Sequence, residues 1–166
     1  MKNLICSIGS LVFGFMIGTA LKYSYESTFF RPYTWNEPPK IINCYGPDFS
    51  KLHMIRGINY WILRDHALGS YIHEPGFELC EKDWINGYIM LKKQSALDDN
   101  ILASTKRYTS LNKIKGAVIL YRPQSFSLYL LNEHELGHAL GYSHIEREGH
   151  VMHPVHVFMG LDFYSH

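Results

Sequence analysis

The chain has 166 residues, 46% of them hydrophobic, which is enough for one domain with a proper core. Its 16 basic and 15 acidic side chains leave a formal charge of +1. That balance gives no electrostatic case for binding to nucleic acid or to an anionic surface. We therefore expect a single domain that does not bind nucleic acid. Evidence for its function has to come from specific residue motifs, since the overall charge gives none.

The amino terminus contains an uncharged apolar run at residues 4–21, directly after Lys2 and Asn3. Its length reaches the lower end of a membrane span, roughly 17–25 residues. A positive start with the small residues Gly18 and Ala20 also suits a cleaved signal peptide. Because the run exceeds the usual signal core of about 7–15 residues, we favour an anchor over residues 1–22. The folded domain would then be exported on a membrane anchor, or secreted if the segment is cleaved.

Residues 23–34 are predicted to be a linker, since proline and scattered charges there oppose regular structure. The folded domain is expected to cover residues 35–166. Its first strand is predicted at residues 40–45. From residue 47 onward, apolar residues recur every three or four positions, which predicts an amphipathic helix of about four turns that stops near Gly69.

The middle of the domain reads as further strands. Short strands are predicted at residues 77–80 and 85–92, and the clearest one at residues 116–121, with sequence GAVILY. The polar stretch at residues 94–115 is expected to be mostly loop. Within it Asp98, Asp99 and Asn100 offer oxygens to Ca²⁺, but without EF-hand spacing, so calcium has no further support.

The most specific pattern is HELGHALGYSH at residues 134–144. Residues four apart on an α-helix lie about 40° from eclipsed, so His134 and His138 present their rings to one ion. Glu135 is turned about 100° and is better placed as a base than as a ligand. Gly141 can take the left-handed conformation that ends a helix, which lets His144 return as a third ligand.

This donor set matches a catalytic zinc site, because three neutral imidazoles leave a tetrahedral ion one open position. Two alternatives remain. A histidine-rich helix could be ordinary core, although three histidines and a glutamate are costly to bury without a metal. A structural zinc would need a fourth protein ligand, for which His150 or His153 is available.

The pattern resembles the extended zinc motif of the metzincins, which continue with a methionine turn. Met152 and Pro154 fit the Met-x-Pro form of the matrixin-like branch, whereas Ile145 stands where matrixins usually have serine. The resemblance implies an α+β fold, with a twisted mixed sheet packed on two main helices and zinc on the floor of a cleft. It implies a zinc endopeptidase acting on proteins or peptides, with His134, His138 and His144 as ligands, Glu135 as general base to a zinc-bound water, and Met152 as support beneath.

The resemblance also implies an edge strand along the cleft that pairs with an extended substrate. Residues 116–121, or the segment just before them, are the candidates. Independently of the resemblance, the helix that carries the motif is expected to be capped by Ser125 or Ser127. Leu131 would lie on the same side of this helix as His134, Glu135 and His138. The tail at residues 155–166 is short for the usual wall of the specificity pocket.

The cysteines leave two interpretations open. Cys44 and Cys80 could form one disulfide in an oxidising compartment, or remain free and buried. The segment at residues 44–48, CYGPD, is also weakly similar to the cysteine switch of matrixin propeptides, but it lacks the expected arginine and glycine.

Two other functions compete with the peptidase. One is a membrane-tethered module that keeps zinc for stability and binds peptides without cutting them. The other is a structural membrane protein with an incidental metal. Glu135 favours the enzyme, because a site without catalysis has no need of a carboxylate at that position.

Overall fold

A computed structural model describes residues 33–94 and 100–161. The apolar run at residues 4–21, nearly all of the linker, and the pair Asp98 and Asp99 lie outside the described residues. Within the described ranges, no helix has the length and apolar character needed to cross a membrane.

The described residues form one six-stranded mixed sheet. Its strands are β1 (Thr34–Trp35), β2 (Lys40–Cys44), β3 (Tyr71–Ile72), β4 (Tyr88–Lys93), β5 (Ala103–Ser110) and β6 (Lys113–Tyr121). Parallel pairing runs through β3, β2, β4 and β6, and β1 joins the start of β6. β5 pairs with β6 in the antiparallel sense and forms the sheet edge.

The central strands are apolar on both faces, as parallel strands covered on both sides require. On one face Ile41, Ile89 and Ile119 are fully buried in the main core beneath the helices. On the other face Ile42 and Met90 join a smaller cluster. The predicted strands at residues 40–45 and 116–121 are therefore confirmed, and β6 begins three residues earlier than expected.

Within residues 33–94 and 100–161, three α-helices accompany the sheet: α1 (Lys51–Ile62), α2 (Phe77–Cys80) and α3 (Leu131–Leu140). Helix α1 begins after Ser50, whose hydroxyl accepts a hydrogen bond from the N–H of His53 at 3.4 Å. It ends well before Gly69, because the chain turns through Asp65 with a left-handed φ of 61°. The two longer helices pack on the same side of the sheet, as the resemblance to the metzincins implies.

The strand predicted at residues 77–80 is wrong, since these residues form the short helix α2. An apolar run of four residues does not separate helix from strand by its pattern. Tertiary contacts decide here: Leu79 packs on the smaller cluster, and Cys80 forms a disulfide with Cys44 on β2. The disulfide therefore fastens α2 across the second face of the sheet, and Cys44 is not available as a cysteine switch.

The loop predicted at residues 94–115 is also wrong, since β5 and the start of β6 occupy most of its second half. Edge strands carry polar side chains because one edge and much of one face meet solvent. The alternation in β5 is accordingly between exposed and half-buried residues, with no fully buried position. For this reason, the polar composition of β5 predicted a loop instead of a strand.

The predicted serine cap of the third helix is wrong as well. Ser125 and Ser127 lie in a separate 3₁₀ turn, where their hydroxyls donate to backbone carbonyls. Helix α3 begins after Leu130, which has a left-handed φ of 60° and provides no side-chain cap. Glu133 in the first turn instead places a carboxylate near the positive end of the helix.

Candidate metal centre

Helix α3 presents His134, Glu135 and His138 to a cleft, and Leu131 lies on the same side, as the helical spacing predicted. His134 and Glu135 are buried, with only 4% of the surface of each residue exposed. These residues form the floor of the cleft, where α3 packs against the sheet.

The end of α3 brings in the third histidine. Gly141 has a left-handed φ of 110°, a conformation that costs little only for glycine. The N–H groups of Gly141 and Tyr142 bind the carbonyls of His138 and Gly137 at 3.0 Å, which closes the helix. The chain then reverses, so that His144 lies beside the helix it has just left.

The three rings converge through the same type of atom. Nε2 of His138 lies 3.0 Å from Nε2 of His134 and 3.0 Å from Nε2 of His144. Together they form a group able to hold one metal ion. The sequence prediction that these three residues come together agrees with this geometry.

Backbone carbonyls fix the orientation of two of the rings. Nδ1 of His134 lies 2.8 Å from the carbonyl oxygen of Val151, and Nδ1 of His138 lies 2.9 Å from that of Tyr142. A carbonyl only accepts hydrogen bonds, so each Nδ1 carries the proton and each Nε2 keeps its lone pair. Two lone pairs facing each other at 3.0 Å repel, and a shared cation removes that repulsion.

Burial keeps these rings neutral. It lowers the pKa of His134 to about 3 and of His138 to about 4, from an ordinary value near 6.5. A charge on His138 would lower the pKa of His134 further, while the bond to Val151 acts the other way. The pKa of the more exposed His144 is also lowered, again mainly by burial. Neutral imidazole is the form that binds metal.

The turn that follows the motif supports the histidines from below. Met152 is fully buried, and its sulfur contacts Gly137 in the middle of α3. The N–H of Met152 donates to Nδ1 of His150 at 2.9 Å, so this histidine is engaged inside the turn. The neighbouring Val151 provides the carbonyl that orients His134. One turn therefore packs beneath the helix and also orients one of its rings.

Glu135 receives a hydrogen bond from outside its own helix. The hydroxyl of Thr105 on β5 lies 2.5 Å from Oε2 of Glu135 and 3.2 Å from the backbone oxygen of the same residue. Burial raises the pKa of Glu135 to about 7, and the bond from Thr105 partly opposes that rise. The sequence pattern does not identify Thr105, because this residue lies in the stretch predicted to be a loop.

Arg107 is the second residue that the sequence reasoning missed. Its Nη1 donates to the carbonyl of His138 at 2.7 Å and to that of Tyr142 at 3.2 Å. The latter oxygen also accepts the Nδ1 proton of His138. A cation at the carboxyl end of a helix interacts favourably with the helix dipole, so Arg107 stabilises this end of α3. Polar alternation along residues 103–110 is the signal that could have identified both residues as members of a strand.

Tyr142 and the remaining histidines separate into packing and cleft residues. Tyr142 is buried against Trp61 in a stacked arrangement, and its hydroxyl lies 2.8 Å from Nε2 of His66. Nδ1 of His153 accepts the N–H of Val155 at 3.0 Å within its own turn. His156 lines the cleft, where its Nε2 donates to the carbonyl of Tyr129 at 2.7 Å. Neither His150 nor His153 joins the group of three among the described residues.

The cleft above this group has a volume of about 740 Å³. One wall is formed by residues 100–105 and Arg107, which include the first part of β5. Residues 154–157 and Met159 of the tail also line the cleft, and this segment contains a 3₁₀ turn at His156–Phe158. Of the two candidates for the edge strand along the cleft, the segment before β6 is the one observed, as strand β5. Strand β6 itself lies inside the sheet.

Comparison with known proteins agrees with this geometry. No curated protein matches the chain. The family model for matrixins, a family of zinc-dependent metallopeptidases, matches residues 57–162 and so includes the motif, the methionine turn and β5. Since this match spans more than half of the sequence, the chain belongs to the matrixin family.

Proposed function

We propose that this protein is a zinc-dependent endopeptidase, in which His134, His138 and His144 hold the ion and Glu135 is the general base. The observation that carries the proposal is the convergence of three Nε2 atoms beside a buried carboxylate in an open cleft. Membership of the matrixin family supports the same chemistry.

The spacing of the ring nitrogens fits zinc. With zinc–nitrogen distances of about 2.0–2.1 Å, two ligands of a tetrahedral ion lie about 3.3 Å apart. The observed separations of 3.0 Å are close to that value, and the lone pairs of His134 and His138 already face each other. A bound zinc ion would polarise the scissile carbonyl and acidify a water molecule.

Glu135 has the properties required for proton transfer. In the metal-free fold, burial raises the pKa of Glu135 to about 7, so its carboxylate can take up and release a proton near neutral pH. In the proposed reaction it would accept a proton from the attacking water and later return it to the leaving amine. The low exposure of Glu135 also supports a role as general base, since exclusion of water favours proton transfer between aligned groups.

The position of β5 supports an extended peptide as substrate. Among the described strands, β5 pairs only with β6, and its other edge borders the cleft. Backbone groups on a free edge can pair with an added strand. A peptide held in this way would pass over the histidine group, which favours cleavage within a chain.

We also propose that the chain acts outside the reducing cytoplasm, either anchored through residues 4–21 or secreted. The disulfide between Cys44 and Cys80 supports export, because such bonds persist in oxidising compartments.

The proposal is tested by replacing Glu135 with glutamine in the full chain. Zinc content should stay at one ion per chain, while cleavage of a peptide library should fall by roughly 100- to 10,000-fold. Glu148→Gln, at an exposed glutamate outside the cleft lining, is the matched control and should behave as the parent. A zinc-loaded Glu135→Gln protein that cleaves as fast as the parent would contradict the assigned base. A zinc-loaded parent that binds peptides without cutting them would favour the binding module.

A further inference from the structure

The edge strand is joined to the helix of the metal centre at two points. Alternation along a strand places Thr105 and Arg107 on one face of β5. The first contacts the carboxylate of Glu135 at 2.5 Å, and the second contacts the carbonyl of His138 at 2.7 Å. The cleft wall and the floor are therefore connected by polar contacts as well as by packing.

We propose that Thr105 is a positioning residue for Glu135, an inference that rests on the proposed endopeptidase function. A glutamate carboxylate turns easily about its terminal bond, and a single donor to Oε2 stops that rotation. With Oε2 held by the hydroxyl, Oε1 is left to exchange a proton with a group in the cleft. The second approach of the same hydroxyl, 3.2 Å from the backbone oxygen of Glu135, fixes the hydroxyl beside the residue it orients.

The location of Thr105 gives this contact a role beyond satisfying a buried carboxylate. Its strand neighbours Ala103 and Ser104 line the cleft where an extended peptide would pair. The strand that would bind the substrate therefore also orients the base. The same strand would hold the scissile peptide bond and the carboxylate in fixed positions relative to each other. Misplacing a reacting group by about 1 Å can cost on the order of 100-fold in rate.

The test compares three full-chain variants. Thr105→Val removes the hydroxyl and keeps the shape, Thr105→Ser restores a hydroxyl, and Thr109→Val makes the same change at an exposed threonine of β5. We expect Thr105→Val to lower kcat roughly 10- to 100-fold, with KM nearly unchanged and one zinc per chain. Thr105→Ser should retain most of the parent kcat, and Thr109→Val all of it.

A second readout needs no turnover. After zinc has been removed with a chelator, the Thr105→Val variant should melt at a lower temperature than the parent. The same substitution should lower the melting temperature clearly less in a Glu135→Met background, where the carboxylate acceptor is absent and only the backbone oxygen of residue 135 remains. Such dependence shows that the hydroxyl acts through the carboxylate.

Several results would overturn the inference while leaving the proposed function intact. These are an active parent with an equally fast Thr105→Val variant, a Thr105→Ser variant as slow as Thr105→Val, or a rate loss explained by lost zinc. An equal fall in melting temperature in both backgrounds would also overturn it. A zinc-loaded parent that cleaves no peptide would instead contradict the proposed function.

Discussion

The sulfur of Met152 occupies the space into which a side chain on Gly137 would project. A Cβ built on Gly137 would also approach Cζ2 of Trp61 at 2.6 Å, closer than real Cβ atoms come to other atoms. Helix α3 can therefore lie against the methionine turn and α1 only because residue 137 has no side chain. The positions of His134 and His138, the two proposed ligands on this helix, depend on that close packing.

Gly137→Ala should consequently destabilise the protein despite the better helix propensity of alanine. Overpacking of a filled core costs about 1–3 kcal/mol, so the urea unfolding midpoint should fall by a corresponding amount. Gly76→Ala is the control, because a Cβ there meets nothing within 4 Å. An unfolding free energy unchanged by Gly137→Ala would show that the turn does not press against α3.

Zinc binding should stabilise the folded chain through the three histidines. A ligand present at a hundred times its dissociation constant contributes about 2.7 kcal/mol, so added zinc should raise the melting temperature of chelated protein. His138→Gln should abolish that rise, whereas His156→Gln, at a cleft histidine outside the group of three, should keep it. A zinc response that survives in His138→Gln would place the ion elsewhere.

Acid should weaken the metal-free protein through the same rings. In the folded chain, burial lowers the pKa of His134 to about 3 and that of His138 to about 4. In the unfolded chain, both histidines have the ordinary pKa of about 6.5. As the pH falls from about 6.5 to about 4.5, the unfolded chain takes up protons that the folded chain refuses, so stability falls by about 1.4 kcal/mol per pH unit for each ring. Glu135 opposes this, since its raised pKa makes the folded chain bind a proton first, but it offsets only one ring.

The measurement is urea unfolding of chelated protein at about pH 7, 6 and 5. The parent should lose stability on acidification. A variant with both His134→Gln and His138→Gln should lose clearly less, because the opposing effect of Glu135 remains. A parent profile that matches the double variant would mean that these rings titrate normally in the fold.

The disulfide should contribute to stability without contributing to the metal centre. Cys44→Ser together with Cys80→Ser should lower the free energy of unfolding by about 2–4 kcal/mol, since α2 would no longer be fastened across the second face of the sheet. Zinc content should remain at one ion per chain. Loss of zinc in this variant would link the cysteines to the metal centre.

The group of three histidines could be predicted because local geometry alone brings these residues together. Helical spacing sets His134 against His138, and the left-handed turn at Gly141 returns His144. The doubly buried strands β2 and β6 were predictable for a similar reason, since their apolar runs admit few other structures.

The contacts that complete the site could not be predicted, because they depend on tertiary structure. Thr105 and Glu135 are 30 positions apart, and no local pattern pairs them. The short helix α2 likewise owes its conformation to the disulfide and to packing on the sheet, both of which override a weak local preference. Sequence patterns therefore identified the floor of the cleft but not its wall.

X-ray absorption at the zinc edge on the loaded full chain tests the central claim most directly. Three imidazole nitrogens at about 2.0–2.1 Å and one further ligand, replaced when a peptide hydroxamate is added, are the expected result. Four protein ligands, left unchanged by the hydroxamate, would show a closed structural site and contradict the proposed peptidase.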